Sequence, residues 1–274
     1  MKKNIIITSG PTNERIDSVM KITNMSTGAL GCTIAKTFIE DREDEIENIF
    51  FISTKMSYKP NINSRKIKYI MIESTQDLVE ILKKLFEENR IDIVIHSAAV
   101  GDYTSKYSIR AEELVEEIWN TIQNKSKKDI TKKDILSIFE NPKVIADSSG
   151  KMSSYQEHLM TMFKLTPKVI GMIKKFNPKV KLVGFKLLDN VSREELINVA
   201  SNLKEKNDAD YIVANDLSKI GKGKHWALIV GNNGIEGECN TKKEIAKKIE
   251  ELLFKKSIWK YGDIVYLHIL LFNY

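Results

Sequence analysis

The sequence predicts an α/β protein: a Rossmann-like, doubly wound and mostly parallel sheet that carries a polar insertion or flap. Three observations predict it. Short β-rich apolar runs alternate with helix-period segments along most of the chain, the order that builds βαβ units with right-handed crossovers. The first run, "NIIITS", is continuously apolar, as a strand buried on both faces must be. Four predicted strands end in small or polar residues, "TSGPTNERID", "HSAAVGDY", "GFKLLDN" and "ANDLSKIGKGK", at the carboxyl edge where open parallel sheets bind ligands.

The elements follow in order. "NIIITS" is the first strand. "STGALGCTIAKTFIE" is a helix with Ser26 or Thr27 near its N-cap. "IENIFFIST" and "RKIKYIMIES" are strands, and "TQDLVEILKKLFEEN" is an amphipathic helix with Leu78, Ile81, Leu82 and Leu85 on one face. "IDIVIHSAAV" is a fourth strand that ends in a small-residue turn. Residues 108–150 turn polar, with helical tendency only, and are expected to be an insertion or a flap over the sheet. Strand "KLVGFKLL", helix "SREELINVASNLKEKN", strands "ADYIVAND" and "HWALIVG" and helix "TKKEIAKKIEELLF" complete the pattern. One domain is expected over residues 1–254, followed by a tail, 255–274, of unassigned role.

Composition narrows the class. The chain has 274 residues, 42% hydrophobic and 29% charged, ordinary for a globular protein. No apolar run reaches the roughly 18–20 residues that span a membrane, and "MKKNIIITSG" lacks the long apolar stretch and cleavage site of a signal peptide. Cys32 and Cys239 have no disulfide framework or metal-ligand spacing, so a cytoplasmic location is expected. The net charge of +6 is spread rather than massed. That distribution suits small anionic substrates better than nucleic acid, which is not expected as a partner.

The first loop carries the chemistry. About twenty residues separate the first strand from the first helix. Ser9, Gly10 and Thr12 offer backbone N–H groups and hydroxyls to phosphate oxygens, and the helix start near Ser26-Thr27-Gly28 offers a second anion site. The plain alternative is a helix start that is only capped, with glycines that only pack. A nicotinamide-dependent oxidoreductase is the rival enzyme. Against it, G-x-G-x-x-G is absent, the second strand ends in Ser53-Thr54 with no acid for a ribose, and no tyrosine precedes a lysine by four residues. No P-loop occurs either. In "SAAVGDY", Ala98, Ala99 and Gly101 let a backbone lie against a ring, and Asp102 is placed to accept from a base or ribose, or merely to cap a turn. Phe185 is a stacking candidate or a core residue. Lys151, in "SSGKMSS", is a candidate to neutralise a phosphoryl group or oxyanion, or a solvated lysine. His96 follows a buried strand and reads as a structural histidine.

Together these residues resemble the phosphopantothenate–cysteine ligase family. "ITSGPTNERIDSVMKITNMSTGALG" resembles its opening motif, "SAAVGDY" its Ala-Ala-Val-x-Asp segment, "GKMSS" its Lys-Ile segment, and "LVGFKLL" and "DYIVANDLS" its later strand motifs. The five occur in order over about residues 3–254, and look most like the stand-alone bacterial form, in which no flavin-dependent decarboxylase domain precedes the ligase. The resemblance implies activation of 4′-phosphopantothenate by a nucleoside triphosphate, CTP rather than ATP in most bacteria, with Mg2+. The acyl-nucleotidylate then passes its acyl group to L-cysteine. It also implies a homodimer. By motif, Asn24 would orient the carboxylate and acyl intermediate, beside Ser26, Thr27 and Gly28. Lys151 would stabilise charge at the α-phosphate. Ser9, Gly10 and Thr12 would cradle phosphates; Asp102 and Phe185 would hold the base, with Ala98 and Ala99 along its plane. Lys204, Lys222 and Lys224 are further triphosphate candidates. A non-catalytic nucleotide-binding module is the remaining alternative, and joint retention of Asn24 and Lys151 speaks against it. Three departures stand out: Met152 in place of the commoner Ile, the long charged 108–150 stretch, and a tail after Phe254 without counterpart.

Overall fold

The computed structural model describes residues 1–124, 129–153, 155 and 157–254. The predicted tail, 255–274, lies outside the described residues. In chain order the elements are β1 (Lys3–Ser9), β2 (Asn13–Arg15), β3 (Lys21–Thr23), α1 (Ala29–Arg42), β4 (Ile46–Ser53), β5 (Ile67–Met71), α2 (Thr75–Glu88), β6 (Ile93–His96), β7 (Tyr103–Arg110), α3 (Ala111–Gln123), α4 (Lys132–Glu140) and β8 (Leu159–Leu165). There follow α5 (Ile170–Phe176), β9 (Lys181–Leu188), α6 (Arg193–Lys206), β10 (Tyr211–Gly221), β11 (Lys224–Gly231), β12 (Gly234–Cys239) and α7 (Lys242–Phe254).

An eight-stranded sheet in the order β12-β11-β10-β9-β6-β1-β4-β5 forms the centre. The six strands from β10 to β5 run parallel, and β11 and β12 close one edge as antiparallel strands. β1 is central, and its continuous apolar run follows from burial on both faces. Ile5 and Ile7 pack with Ile34 and Phe38 of α1 and Ile245 and Ile249 of α7. Ile6 points the other way, among Leu78 and Leu82 of α2, Ile173 of α5 and Leu196 of α6. This is the doubly wound fold the alternation predicts.

Helix α2 begins where its sequence says. Ser74 Oγ accepts from the Asp77 N–H (3.1 Å), and Asp77 accepts in return from the Ser74 N–H (2.9 Å), a reciprocal capping box. Helix α1 starts at Ala29, with Thr27 next to its N-cap as the sequence predicts; the N-cap itself is Gly28, which sits at φ 79° and makes no side-chain cap. A left-handed residue there is one that glycine adopts without Cβ strain.

The polar insertion is larger and more ordered than predicted. The excursion starts at Tyr103 with β7, passes through α3 and α4, and returns on β8, which pairs antiparallel with β7. Tyr107, Ile109, Leu114 and Ile138 give it a small core of its own. The Tyr107/Ile109 spacing of two is strand-like, but the partner strand lies some fifty residues on, and an isolated two-stranded ribbon leaves no local signature.

Candidate functional site

The loop after β1 folds into a hairpin of β2 and β3, with Asn13 opposite Thr23 and Arg15 opposite Lys21. It is held from three sides. The Asn13 N–H donates to the Glu73 carbonyl (2.7 Å), and the Asn13 side-chain amide to the Glu73 carboxylate (3.0 Å). The Thr23 hydroxyl donates to the Thr12 carbonyl at 3.0 Å. The Asn24 side chain donates to the carbonyls of Ala99 (3.0 Å) and Val100 (3.3 Å). The hairpin therefore bridges the carboxyl ends of β1 and β6, and Asn24 sits against the "SAAVGDY" loop.

A chain of buried hydrogen bonds underlies this junction. Glu14, 5% exposed, accepts from both the N–H (2.8 Å) and the hydroxyl (2.7 Å) of Thr75, the first residue of α2. The Thr75 hydroxyl thus points at Glu14. Thr75 Oγ1 must then accept from the Thr12 hydroxyl (3.1 Å), and Thr12 Oγ1 from the Gly101 N–H (2.9 Å). The carboxylate also faces a helix N-terminus, where negative charge is favoured.

Two glycines pack where no side chain fits. Gly10 has φ 77°, and a Cβ there would stand 2.0 Å from the Ser57 hydroxyl. Gly28 would place a Cβ 2.9 Å from Ser9 Oγ and 3.1 Å from Gly10 N. The loop after β4 supports both from beneath. The Tyr58 N–H donates to the Thr27 carbonyl (3.0 Å), and the Lys59 amine cross-bonds the Thr54 (2.6 Å) and Ser57 (3.0 Å) carbonyls. Burial holds the Lys59 amine below its ordinary range and pushes the neighbouring Cys32 thiol up to about 11, so Cys32 is not a nucleophile near neutral pH.

The predicted site residues fall into groups. Asn24, Gly10, Gly28, Ala98, Ala99 and Asp102 gather at the carboxyl ends of β1 and β6. Ser9 and Thr12 are there too, but their hydroxyls are not available to phosphate: Ser9 is 2% exposed and donates to the Gly28 carbonyl (2.9 Å), and Thr12 is fully buried in the chain just described. Both shape the loop. Asp102 is exposed and pairs with Lys168 (2.5 Å). Phe185 lies inside β9, opposite Val213 of β10, and is partly buried against the α1–α7 core, so packing is its visible role. Lys222 and Lys224 lie at the β10–β11 turn, on the carboxyl side of the sheet but three strand positions from β1. Lys204 is in the last turn of α6, which runs back from the end of β9 to the start of β10. That places it at the opposite, amino edge, away from this site. His96 is buried, and its Nδ1 lies 3.0 Å from the Thr8 hydroxyl; burial lowers it to about 4, so it is neutral and structural.

Lys151 is exposed and joins the site through its neighbours. The Met152 N–H donates to the Asp17 carboxylate (3.0 Å), and the Ser18 N–H to the Gly150 carbonyl (3.4 Å). Residues 150–152 thus lie on the turn of the first-loop hairpin. The sequence reading assigned no role to Asp17, Glu14, Thr75, Ser57 or Lys168. Their partners are 135, 61, 47 and 66 residues distant in turn, Thr75 being the partner of Glu14, beyond any spacing rule. Among the described residues, no group of three or more His, Cys, Asp or Glu side chains is arranged to hold a metal ion, and no helix is long and apolar enough to cross a membrane.

A doubly wound sheet with an extended first loop, closed over the ends of β1 and β6 and overlain by a lysine-bearing segment, defines a Rossmann-like α/β protein, and its candidate site lies at the switch between β1 and β6. Residues 1–147 match the model of the DNA/pantothenate metabolism flavoprotein C-terminal domain family. The chain belongs to that family. The crystal structure of the DNA/pantothenate metabolism flavoprotein from Streptococcus pneumoniae is similar at 34% identity and a TM-score of 0.73, covering 92% of this chain and 98% of that one. The coenzyme A biosynthesis bifunctional protein CoaBC of Thermococcus kodakarensis is 27% identical over 248 residues, 90% of this chain and 50% of that protein. The corresponding protein of Methanocaldococcus jannaschii is 27% identical over 256 residues, 92% of this chain and 50% of that one. The chain therefore spans about half the length of these curated relatives.

Proposed function

We propose that this chain is a phosphopantothenate–cysteine ligase, organised as one domain over residues 1–254 with the β7–β8 excursion as an appendage. The observation that carries the reading is that one hairpin holds both candidates, Asn24 at its base against the Ala99 and Val100 carbonyls and the Lys151 segment at its turn through Asp17. The family match and relatives named for coenzyme A biosynthesis support it.

A carboxylate and an amine do not condense without a leaving group. In this reading the 4′-phosphopantothenate carboxylate attacks the α-phosphorus of a nucleoside triphosphate, CTP in preference to ATP. The bond to the β-phosphate oxygen breaks and pyrophosphate leaves. The L-cysteine amine then attacks the acyl carbon, the nucleoside monophosphate leaves, and the amide remains. The Gly10 turn and the start of α1 line the phosphate side with backbone N–H groups. Lys151 neutralises charge that builds at the α-phosphate, and Asn24 orients the acyl group. Mg2+ bound with the triphosphate would neutralise charge there; among the described residues no cluster of three or more acidic, His or Cys side chains is arranged to hold it alone. Exposed Tyr103, Phe163 and Leu165, on one face of the β7–β8 ribbon, support the homodimer.

Partial reactions test the roles. Lys151→Gln should cut pyrophosphate release by about a hundredfold, the scale of a lost charged stabiliser of the transition state. Asn24→Asp should leave the acyl-nucleotidylate detectable by mass spectrometry while amide formation stalls. Wild-type turnover with cysteine in Asn24→Asp would remove Asn24 from the mechanism.

A further inference from the structure

The turn between β2 and β3 holds a carboxylate that none of the proposed substrates explains. Asp17 is 3% exposed. Its Oδ1 accepts from the N–H groups of Val19 (2.7 Å) and Met20 (2.6 Å), which closes the turn. Its Oδ2 accepts from the N–H of Met152 (3.0 Å), on a segment 135 residues away. On the other side of Lys151, the Gly150 carbonyl accepts from the Ser18 N–H. Lys151 is thus bracketed by two hydrogen bonds to one turn, one to the Asp17 carboxylate and one from the Ser18 N–H. The Met152 side chain, 6% exposed, adds an apolar anchor, while the Lys151 side chain stays exposed. The backbone N–H of Met20, then those of Met152 and Val19, hold the carboxyl below the usual carboxylate range, and the Lys151 charge adds to them. The group is ionised near neutral pH, when it can only accept.

We propose that Asp17 is a positioning residue for Lys151: its carboxylate latches the 150–152 segment onto the first loop and so fixes where the lysine amine can reach. This rests on the ligase reading for its catalytic meaning, but the latch itself is a contact within the chain. One side chain does two jobs with two oxygens, one for the turn and one for the segment. Asp17→Asn separates them. An amide has one acceptor oxygen and an NH2 that donates. The oxygen stays with the two turn donors, and the NH2 faces the Met152 N–H, donor against donor. The turn survives and the latch opens.

The experiment uses the full chain. Limited trypsin digestion, mapped by mass spectrometry, reads cleavage after Lys151 in wild type, Asp17→Asn and Asp17→Glu. Pyrophosphate release with Mg-CTP and 4′-phosphopantothenate is measured beside it. Asp17→Asn should speed the Lys151 cut about tenfold, the scale of one lost charge-assisted hydrogen bond, with cleavage elsewhere and Tm unchanged. It should lower kcat by a similar factor and move the nucleotide KM by less than about twofold, a split that general loosening of the loop would not give. Asp17→Glu, which keeps both acceptor oxygens, should recover part of each effect. Hydrogen exchange on wild type supplies a readout independent of any variant: the Met152 amide should be protected. Exchange there at the rate of an open chain, or Lys151 cleavage equal in wild type and Asp17→Asn, overturns the latch. Faster Lys151 cleavage in Asp17→Asn, from a wild type that releases no pyrophosphate, supports the latch and overturns the ligase reading alone.

Discussion

Several side chains here act through what they forbid. His96 is buried at the end of β6 and stays neutral, because a charge there would lose its hydration. Its folded pKa is about 4 against an ordinary 6.5. Between those values the unfolded chain binds more protons than the folded one, so stability falls as pH drops from about 6.5 towards 4 and is flat above. The loss from this residue between about pH 7.5 and pH 5 is on the order of 2 kcal/mol. Urea unfolding should show it, and His96→Gln should reduce the pH-dependent loss by about that amount; an unchanged slope would assign the loss elsewhere. His96 was read as structural from its place after a buried strand, and its surroundings bear that out. In the sequence, Ser9 and Thr12 are candidates to cradle phosphate. Small hydroxyls beside glycine suit that role, but a hydroxyl's partner is set by whatever packs against it. Here those partners are the Gly28 carbonyl and the Thr75 hydroxyl.

At the scale of elements, the loop after β4 is a base plate for the loop after β1. Gly10 lies on Ser57, and the Thr27 carbonyl is held by Tyr58. Gly10→Ala meets two penalties, a left-handed φ and a Cβ 2.0 Å from the Ser57 hydroxyl. It should weaken nucleotide binding at least tenfold in a calorimetric titration, by displacing both loops. The double variant Gly10→Ala/Ser57→Gly removes the clash and should recover part of the loss; no recovery would mean that the φ alone is responsible. The main strands and long helices are legible because their signals are local: an apolar run, a period of 3.6 along α2. The β2–β3 hairpin was not, since three-residue strands carry no periodicity. Nor was the β7–β8 pairing, whose two halves meet only after α3 and α4.

For the whole molecule, topology decides which motifs share a site. The order β10-β9-β6-β1-β4-β5 puts the ends of β1 and β6 side by side, so "TSGPT" and "SAAVGDY" meet although nearly ninety residues separate them. The same topology sends Lys204 to the far edge, since a crossover helix that leaves the carboxyl edge ends at the amino edge. Motif order along the chain was therefore readable, while depth, partner and edge were not. The proposed activity of this site is to join a carboxylate to cysteine at the expense of a nucleotide. The measurement that tests it most directly is mass spectrometry of the products formed by purified protein with Mg2+, 4′-phosphopantothenate and L-cysteine, with CTP or ATP. The ligase should give the phosphopantothenoyl–cysteine amide in step with nucleoside monophosphate and pyrophosphate, faster with CTP, and no amide without nucleotide. Intact substrates with both nucleotides, from folded protein, would contradict it.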